Sequence, residues 1–305
     1  MEKFDVTILG CGAALPTKLL NQTSQVVNFR EKLFMIDCGE GTQLQYRNAK
    51  LSFAKLKRIF ISHLHGDHCF GLIGLLSTFG MLGRTGEMHI HCPIGLEGLM
   101  RPLINFFCNP LPYNIVFHEH NTKKNEVIYE DKSLIVSTIP LKHRISCAGF
   151  LFQEKPMLRN IRKDQIDFYK IPVSWMGRIK AGDDYVSADG VTVSNELLTI
   201  APPSPRSYAY CSDTAYFEPI IDIIKGANLL FHEATFAESE RLRAQQTKHS
   251  TAVQAAKIAQ KAEVKKLLIG HFSARYTDHT LLLNEARTAF ENVISAQELV
   301  TYSIE

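Results

Sequence analysis

The run Phe60-Ile61-Ser62-His63-Leu64-His65-Gly66-Asp67-His68 constrains this chain more than any other stretch. Four potential metal ligands fall within six residues, around a glycine and directly after an apolar segment with strand character. A loop at the C-terminal end of a strand lets such side chains converge, whereas an extended chain sends alternate side chains to opposite faces. Nitrogen and carboxylate donors without thiolate suit a catalytic Zn²⁺ site that keeps one coordination position open. The plain alternative is a solvated polar loop, and three histidines with an aspartate in so short a space argue against it.

One loop cannot satisfy two metal ions, and the sequence offers three more donors after strand-like runs. His143 follows a run ending near Ile139, Asp213 follows Tyr208-Ala209-Tyr210-Cys211-Ser212, and His271 follows Leu267-Leu268-Ile269-Gly270. Taken singly, each reads as a cap or turn residue. Their repetition matters, because α/β sheets gather ligands beyond the carboxyl ends of their strands. Five other histidines, His89, His91, His118, His120 and His279, fit no such pattern and are expected to be structural or surface residues.

The rest of the chain supports an α/β class. With 305 residues, 45% hydrophobic and 21% charged, a collagen-like or disordered chain is excluded and a large core is expected. Short apolar runs predict strands at Phe4–Leu9, Gln25–Phe29, Leu33–Ile36, Leu56–Ile61, Met88–Cys92, Leu134–Ile139, Gly149–Phe152, Tyr208–Cys211, Leu229–Phe231 and Leu267–Ile269. Helical spacing appears at Cys69–Leu82, Leu96–Phe107, Glu218–Lys225, Thr251–Lys261 and Thr280–Phe290. From Glu154 to Arg206 the rhythm breaks. That segment carries five prolines, scattered charge and the only tryptophan, Trp175, and reads as an insertion, either a surface loop or an arm that grips a partner.

A formal charge of +3, from 34 basic and 31 acidic residues, gives no global field for nucleic acid, so any basic surface must be local. Seven cysteines, an odd number without a C-x-x-C pair, exclude a disulfide framework and point to a reducing cytoplasm. The amino terminus runs straight into a strand pattern with no leader-like segment, and no apolar stretch reaches membrane-spanning length, so a soluble, unsecreted protein is expected.

The H-x-H-x-D-H run with separated His143, Asp213 and His271 resembles the metallo-β-lactamase superfamily. Further motifs narrow this: Gly10-Cys11-Gly12-Ala13-Ala14-Leu15-Pro16-Thr17-Lys18, Asp37-Cys38-Gly39-Glu40-Gly41-Thr42-Gln43, Ser212-Asp213-Thr214, His232-Glu233-Ala234-Thr235, His249-Ser250-Thr251 and Gly270-His271-Phe272-Ser273-Ala274-Arg275-Tyr276 together resemble ribonuclease Z, in its short form. The resemblance implies a four-layer αββα sandwich with an inserted arm at 154–206 and two Zn²⁺ per chain, with Mn²⁺ or another divalent ion as a substitute. It places His63, His65 and His143 on one ion, Asp67, His68 and His271 on the other, and Asp213 between them. It further implies cleavage of precursor tRNA to a 3′-hydroxyl on the tRNA and a 5′-phosphate on the trailer, by a cytoplasmic homodimer.

On this resemblance Asp67 accepts a proton, while Glu233 orients His249, which sits before a capping-box helix start. Lys18, Arg275 and Tyr276 are expected to meet substrate beside the site, and Trp175, Arg178 and Lys180 on the arm. Leu20 stands where the family carries Arg, in a loop linked to rejection of a 3′-CCA end, and the family's Gly-Pro-rich arm tip is replaced by Ile171–Lys180. Two other readings remain open from the sequence: a zinc phosphodiesterase or arylsulfatase-like hydrolase of small esters, and a non-catalytic RNA-binding subunit.

Overall fold

The computed structural model describes residues 2–305. Two seven-stranded sheets form the centre of the larger of two compact units. The first sheet runs in the order Thr301–Ser303, Phe4–Gly10, Ser24–Phe29, Lys32–Ile36, Leu56–Phe60, Met88–Pro93, Ile115–His120, and the last four strands are parallel. The second runs Val293–Ser295, Leu267–Gly270, Leu229–Glu233, Ser207–Cys211, Ala148–Glu154, Leu134–Pro140, Val127–Glu130, with the first four parallel. Parallel strands are covered on both faces, which is why runs such as Leu229-Leu230-Phe231 are apolar without alternation.

The inner faces meet through aromatic rings. Phe60 packs against Phe150 at 5.5 Å and Phe152 at 5.4 Å between centroids, and Phe34 against Phe152 at 6.0 Å. Tyr208 and Tyr210 of the second sheet donate hydrogen bonds to Gln25 and Asp37 of the first. Helices Thr42–Asn48, Gly71–Met81 and Leu96–Phe107 share a core with the first sheet, while Ala252–Lys261 and Thr280–Arg287 cover the second. This is the four-layer αββα arrangement that the resemblance implies.

All ten predicted strands are present, and the four strands of the two large sheets that the pattern omits, Ile115–His120, Val127–Glu130, Val293–Ser295 and Thr301–Ser303, are the edges of those sheets. Edge strands are partly solvated and carry polar residues such as His118 and Glu119, which interrupt the apolar signal. The predicted helix Cys69–Leu82 divides instead into Gly66–Cys69 and Gly71–Met81. Asp67 and His68 therefore lie on a helical turn rather than in a loop. At Gly71 a Cβ would fall 2.0 Å from the carbonyl oxygen of Gly39, so only glycine allows this helix to seat against the Cys38-Gly39 backbone. The expected helix at Glu218–Lys225 is one 3₁₀ turn followed by Ile221–Ile224.

The second compact unit comprises residues 130–135 and 153–206. Ile166, Ile171, Ile179, Tyr185, Val193 and Leu198 form a small core of its own. Buried Asn195 fixes it by donating to the carbonyls of Ile179 and Asp183, and the buried Arg206 guanidinium pairs with both carboxylate oxygens of Glu154.

Candidate metal centre and catalytic cleft

The parallel strands of both sheets end on one edge of the sandwich, and the site is assembled there. His63, His65 and His143 converge: Nδ1 of His65 lies 3.0 Å from Nε2 of His63 and 3.2 Å from Nε2 of His143. Asp213 faces this group through Oδ2, 3.6 Å from Nε2 of both His63 and His143. Its other oxygen, Oδ1, lies 3.1 Å from Nε2 of both His68 and His271. Asp67 completes the second group, its Oδ2 standing 3.5 Å from His68 and 3.8 Å from His271. The structure thus brings together all seven sequence-predicted donors, in the groups His63, His65, His143, Asp213 and Asp67, His68, His271.

Several observations fit divalent cations to these groups. Nε2 of His68 and Nε2 of His271 are buried without a hydrogen-bond partner, though they point at carboxylate oxygen. Donor atoms about 3.3 Å apart are what tetrahedral coordination with bonds of about 2.0–2.1 Å requires, close to the spacing among His63, His65 and His143. Burial keeps these three imidazoles below their ordinary pKa, the neutral form that binds metal. For His68, burial works the same way, but the carboxylates of Asp213, Asp37 and Asp67 outweigh it and push its pKa well above the usual value. Such a cage of carboxylates around one imidazole favours a positive charge at its centre. Burial by itself would raise the Asp67 carboxyl, yet His68 and His271 hold it far below the usual carboxylate range.

Three of the rings, those of His68, His143 and His271, are oriented from behind. His68 Nδ1 lies 2.8 Å from Oδ2 of Asp37, which also accepts from the hydroxyls of Ser62 at 2.8 Å and Tyr210 at 2.7 Å. His143 Nδ1 lies 3.0 Å from the carbonyl oxygen of Lys248, and His271 Nδ1 lies 3.0 Å from the hydroxyl of Thr235. Such partners fix the tautomer and leave the other nitrogen free for a ligand. Asp37, Asp213, His271 and Lys248 all have left-handed backbone, with φ of 55°, 54°, 58° and 61°. Four non-glycine residues in this strained region, gathered at one site, mark a backbone held for function rather than for propensity.

Beside the second group, buried Glu233 forms a 2.8 Å hydrogen bond with Nδ1 of His249. The same carboxylate accepts from the backbone N–H of Thr214 and of Ser250 and from the hydroxyl of Thr235. Burial disfavours the His249 cation, but Glu233 outweighs it and raises the pKa to about 9. Thr251, two residues on, caps helix Ala252–Lys261 in a reciprocal capping box with Gln254. His249 precedes that helix as expected.

The predicted substrate residues have different settings. Lys18 is exposed in a turn pinned by the Thr17 hydroxyl, which accepts from the N–H groups of Leu19 and Leu20. Asn21, at the end of that turn, is held by the Glu298 carboxylate through its N–H and side-chain amide. Arg275 is exposed and lines a depression with His249. The Tyr276 hydroxyl is instead used internally, accepting from the Ala237 N–H at 2.9 Å. Within the second unit, Trp175 packs on Tyr185, Arg178 lies over Trp175 and pairs with Asp183, and Lys180 is exposed.

Among the described residues, none of His89, His91, His118, His120 and His279 joins a metal-competent group. His91 stacks on Phe60 and His118, and His279 stacks on Phe272. Sequence reasoning did not single out as site residues Asp37, Thr235, Lys248 or Arg144, the last an exposed residue lining the cavity that holds Asp67, Asp213 and His271. Asp37 and Thr235 lie in quoted motifs, which was a usable signal. The Lys248 carbonyl and Arg144 had none.

The sequence family described as Anti-Pycsar protein Apyc1 matches residues 4–93. Relatives named Ribonuclease Z match nearly the whole chain. Those from Bacteroides fragilis (strain YCH46) and Phocaeicola vulgatus are 58% identical over 304 residues and 59% over 305, covering 100% of this chain and 100% and 99% of theirs. The relative from Porphyromonas gingivalis (strain W83) is 50% identical over 298 residues, 98% of each chain. Among solved structures, the short form of human tRNase Z superposes with a TM-score of 0.72 at 25% identity, covering 99% of both chains. The metallo-β-lactamase fold protein YhfI of Bacillus subtilis, 17% identical, gives 0.68 over 99% of this chain and 100% of its own, a likeness of fold. Full-length identity of this order, on the same sandwich with the donor set intact, means that the chain belongs to the ribonuclease Z family.

Proposed function

We propose that this protein is a metal-dependent endoribonuclease that removes the 3′ trailer of precursor tRNA, leaving a 3′-hydroxyl on the tRNA and a 5′-phosphate on the trailer. The observation that carries the reading is the convergence of seven donors around Asp213 beside the Glu233–His249 pair, in a chain 58% identical to a Ribonuclease Z. His63, His65 and His143 would hold one Zn²⁺ and Asp67, His68 and His271 the other, with Asp213 facing both. Two such ions supply Lewis-acid polarisation and charge neutralisation for in-line displacement at phosphorus.

The chain's own groups supply the rest. In this reading Asp67 takes the proton of the attacking water, its Oδ2 held in place by the Ala14 N–H at 2.9 Å. Glu233 fixes the His249 ring by its Nδ1, leaving Nε2 to donate to the leaving 3′-oxygen. Lys18 and Arg275 contact phosphate at the mouth, and Trp175, Arg178 and Lys180 bind RNA on the second unit. Our reading extends to a homodimer and to a cytoplasmic setting, and for the second of these the seven free, buried cysteines, which suit a reducing compartment, are the support. Among the described residues, no helix is long and apolar enough to cross a membrane.

The test is incubation of an unprocessed tRNA transcript with the purified protein and Zn²⁺ or Mn²⁺, with both new ends mapped. A single cut at the tRNA 3′ boundary is expected. Intact RNA in the presence of fully metal-loaded protein overturns the reading. Turnover of bis(p-nitrophenyl) phosphate without RNA cleavage would favour a small-ester hydrolase.

A further inference from the structure

The side-chain amide of Gln22 spans two backbone groups at the edge of the cleft. Its Nε2 donates to the carbonyl oxygen of Ala14 at 2.9 Å, and its Oε1 accepts from the N–H of Glu40 at 2.9 Å. The N–H of the same Ala14 donates to Oδ2 of Asp67, also at 2.9 Å. A buried side chain that lines the cavity of Asp67, Asp213 and His271 is thus connected to Asp67 through one intervening residue.

Ala14 needs such a hold. Its φ is 56°, in the left-handed region where the Cβ of an L-residue crowds the following carbonyl oxygen. It is exposed, so burial does not keep it there. A hydrogen bond on each side does: the N–H on Asp67 and the carbonyl on Gln22. Without the second bond, relaxation of Ala14 towards right-handed backbone turns its N–H away from Asp67, and the carboxylate loses its backbone donor.

Gln22 suits the task on two counts. A backbone N–H only donates and a backbone carbonyl only accepts, and a neutral amide answers both; Glu would face the carbonyl with a second acceptor, and Met would answer neither. The side chain also starts from a fixed point. A Cβ at Gly10 would fall 1.8 Å from the Gln22 carbonyl oxygen, and one at Gly39 would fall 2.5 Å from the Gln22 Cβ, so both neighbours close on this residue as only glycine can.

We infer that Gln22 is a positioning residue for the reaction: it holds Ala14 in left-handed backbone and so keeps the Ala14 N–H on the Asp67 carboxylate. The inference rests on the proposed function in one respect, that Asp67 takes the proton of the attacking water.

The experiment compares wild type with Gln22→Met, Gln22→Leu, and Gln22→Met combined with Ala14→Gly. Amide exchange at Ala14, followed by NMR on the metal-free protein, is expected to speed up about tenfold in Gln22→Met, while Val6 and Ile8 of strand Phe4–Gly10 keep their protection and show that the fold persists. On precursor tRNA, with metal content matched, kcat is expected to fall about tenfold and KM to stay within about twofold of wild type. Glycine enters left-handed backbone without steric strain, so adding Ala14→Gly to Gln22→Met is expected to return part of the lost kcat. A side chain that merely packs would give losses that add. Gln22→Leu is expected to match Gln22→Met on both readouts, and replaces it in the comparison if the Met variant does not fold. Wild-type exchange at Ala14, wild-type kcat in the Gln22 variants, or a double variant slower than Gln22→Met overturns the positioning role, while wild-type cleavage leaves the proposed function standing. Absence of wild-type cleavage overturns the proposed function and the positioning role with it, whatever the exchange rate at Ala14.

Discussion

Nδ1 of His68 lies 2.8 Å from Oδ2 of Asp37, a carboxylate with no solvent exposure that is reached from both sheets. Ser62 donates to it from the first sheet's edge and Tyr210 from the second. One buried side chain therefore joins the sandwich halves and aims a donor of the metal site.

Asp37→Asn is expected to weaken metal binding by about 10- to 100-fold, because the amide cannot accept from every donor around it and releases the His68 ring. Asparagine tolerates left-handed backbone, so the fold is expected to persist. Metal retained after dialysis against a graded chelator series, with circular dichroism as the fold control, measures it. Wild-type retention would refute the orienting role.

Removing the divalent cations is expected to abolish RNA cleavage and also to lower thermal stability. A ligand at 100 times its Kd stabilises by about 2.7 kcal/mol through mass action alone. Chelated protein, followed by calorimetry with and without added Zn²⁺, should show a concentration-dependent Tm. A Tm indifferent to Zn²⁺ contradicts a metal site at these residues.

Glu233→Gln and His249→Gln are each expected to lower kcat by about 10²–10⁴ while metal content is kept, since the pair acts on the leaving oxygen. The double variant should be little worse than either single change, because residues acting as a unit are not additive. Additive losses would separate the two roles.

Stability at acid pH is expected to depend on two histidines remote from the donors. Burial pushes His120 down to about 4 and is the main cause of His91 falling to about 2. Both are neutral when folded and protonated when unfolded, below about 6.5. The unfolded state then binds more protons, so stability falls as pH drops from about 6.5 towards 4, by about 1.4 kcal/mol per pH unit for each. Neither ring nitrogen of His120 has a partner, and His120→Leu should flatten that slope by one such increment in urea titrations. An unchanged slope would rule out the assignment.

Glu154→Ala is expected to cost about 3–5 kcal/mol in the second unit, since it removes the carboxylate that accepts from the buried Arg206 guanidinium. Hydrogen exchange across residues 153–206 would report the loss, and unaltered protection there would contradict it.

The sequence by itself determined what is local or strongly apolar. His63, His65, Asp67 and His68 lie within six residues, so their convergence was readable, and so were the ten central strands, whose position inside the sheets demands short apolar runs such as Leu229-Leu230-Phe231. His143, Asp213 and His271 were legible as strand-end residues, because parallel strands bring their carboxyl ends to one edge. Tertiary structure alone decided the rest. The four edge strands carry half-solvated, mixed sequences, and the split at Phe70 depends on a backbone contact between Gly71 and Gly39. Asp37 meets His68 across 31 residues, the Lys248 carbonyl meets His143 across 105, and Arg144, Arg243 and Arg275 share a wall only once both sheets have closed. Such pairings follow from where strands end and how single residues turn in left-handed backbone, and no periodicity along the chain records either.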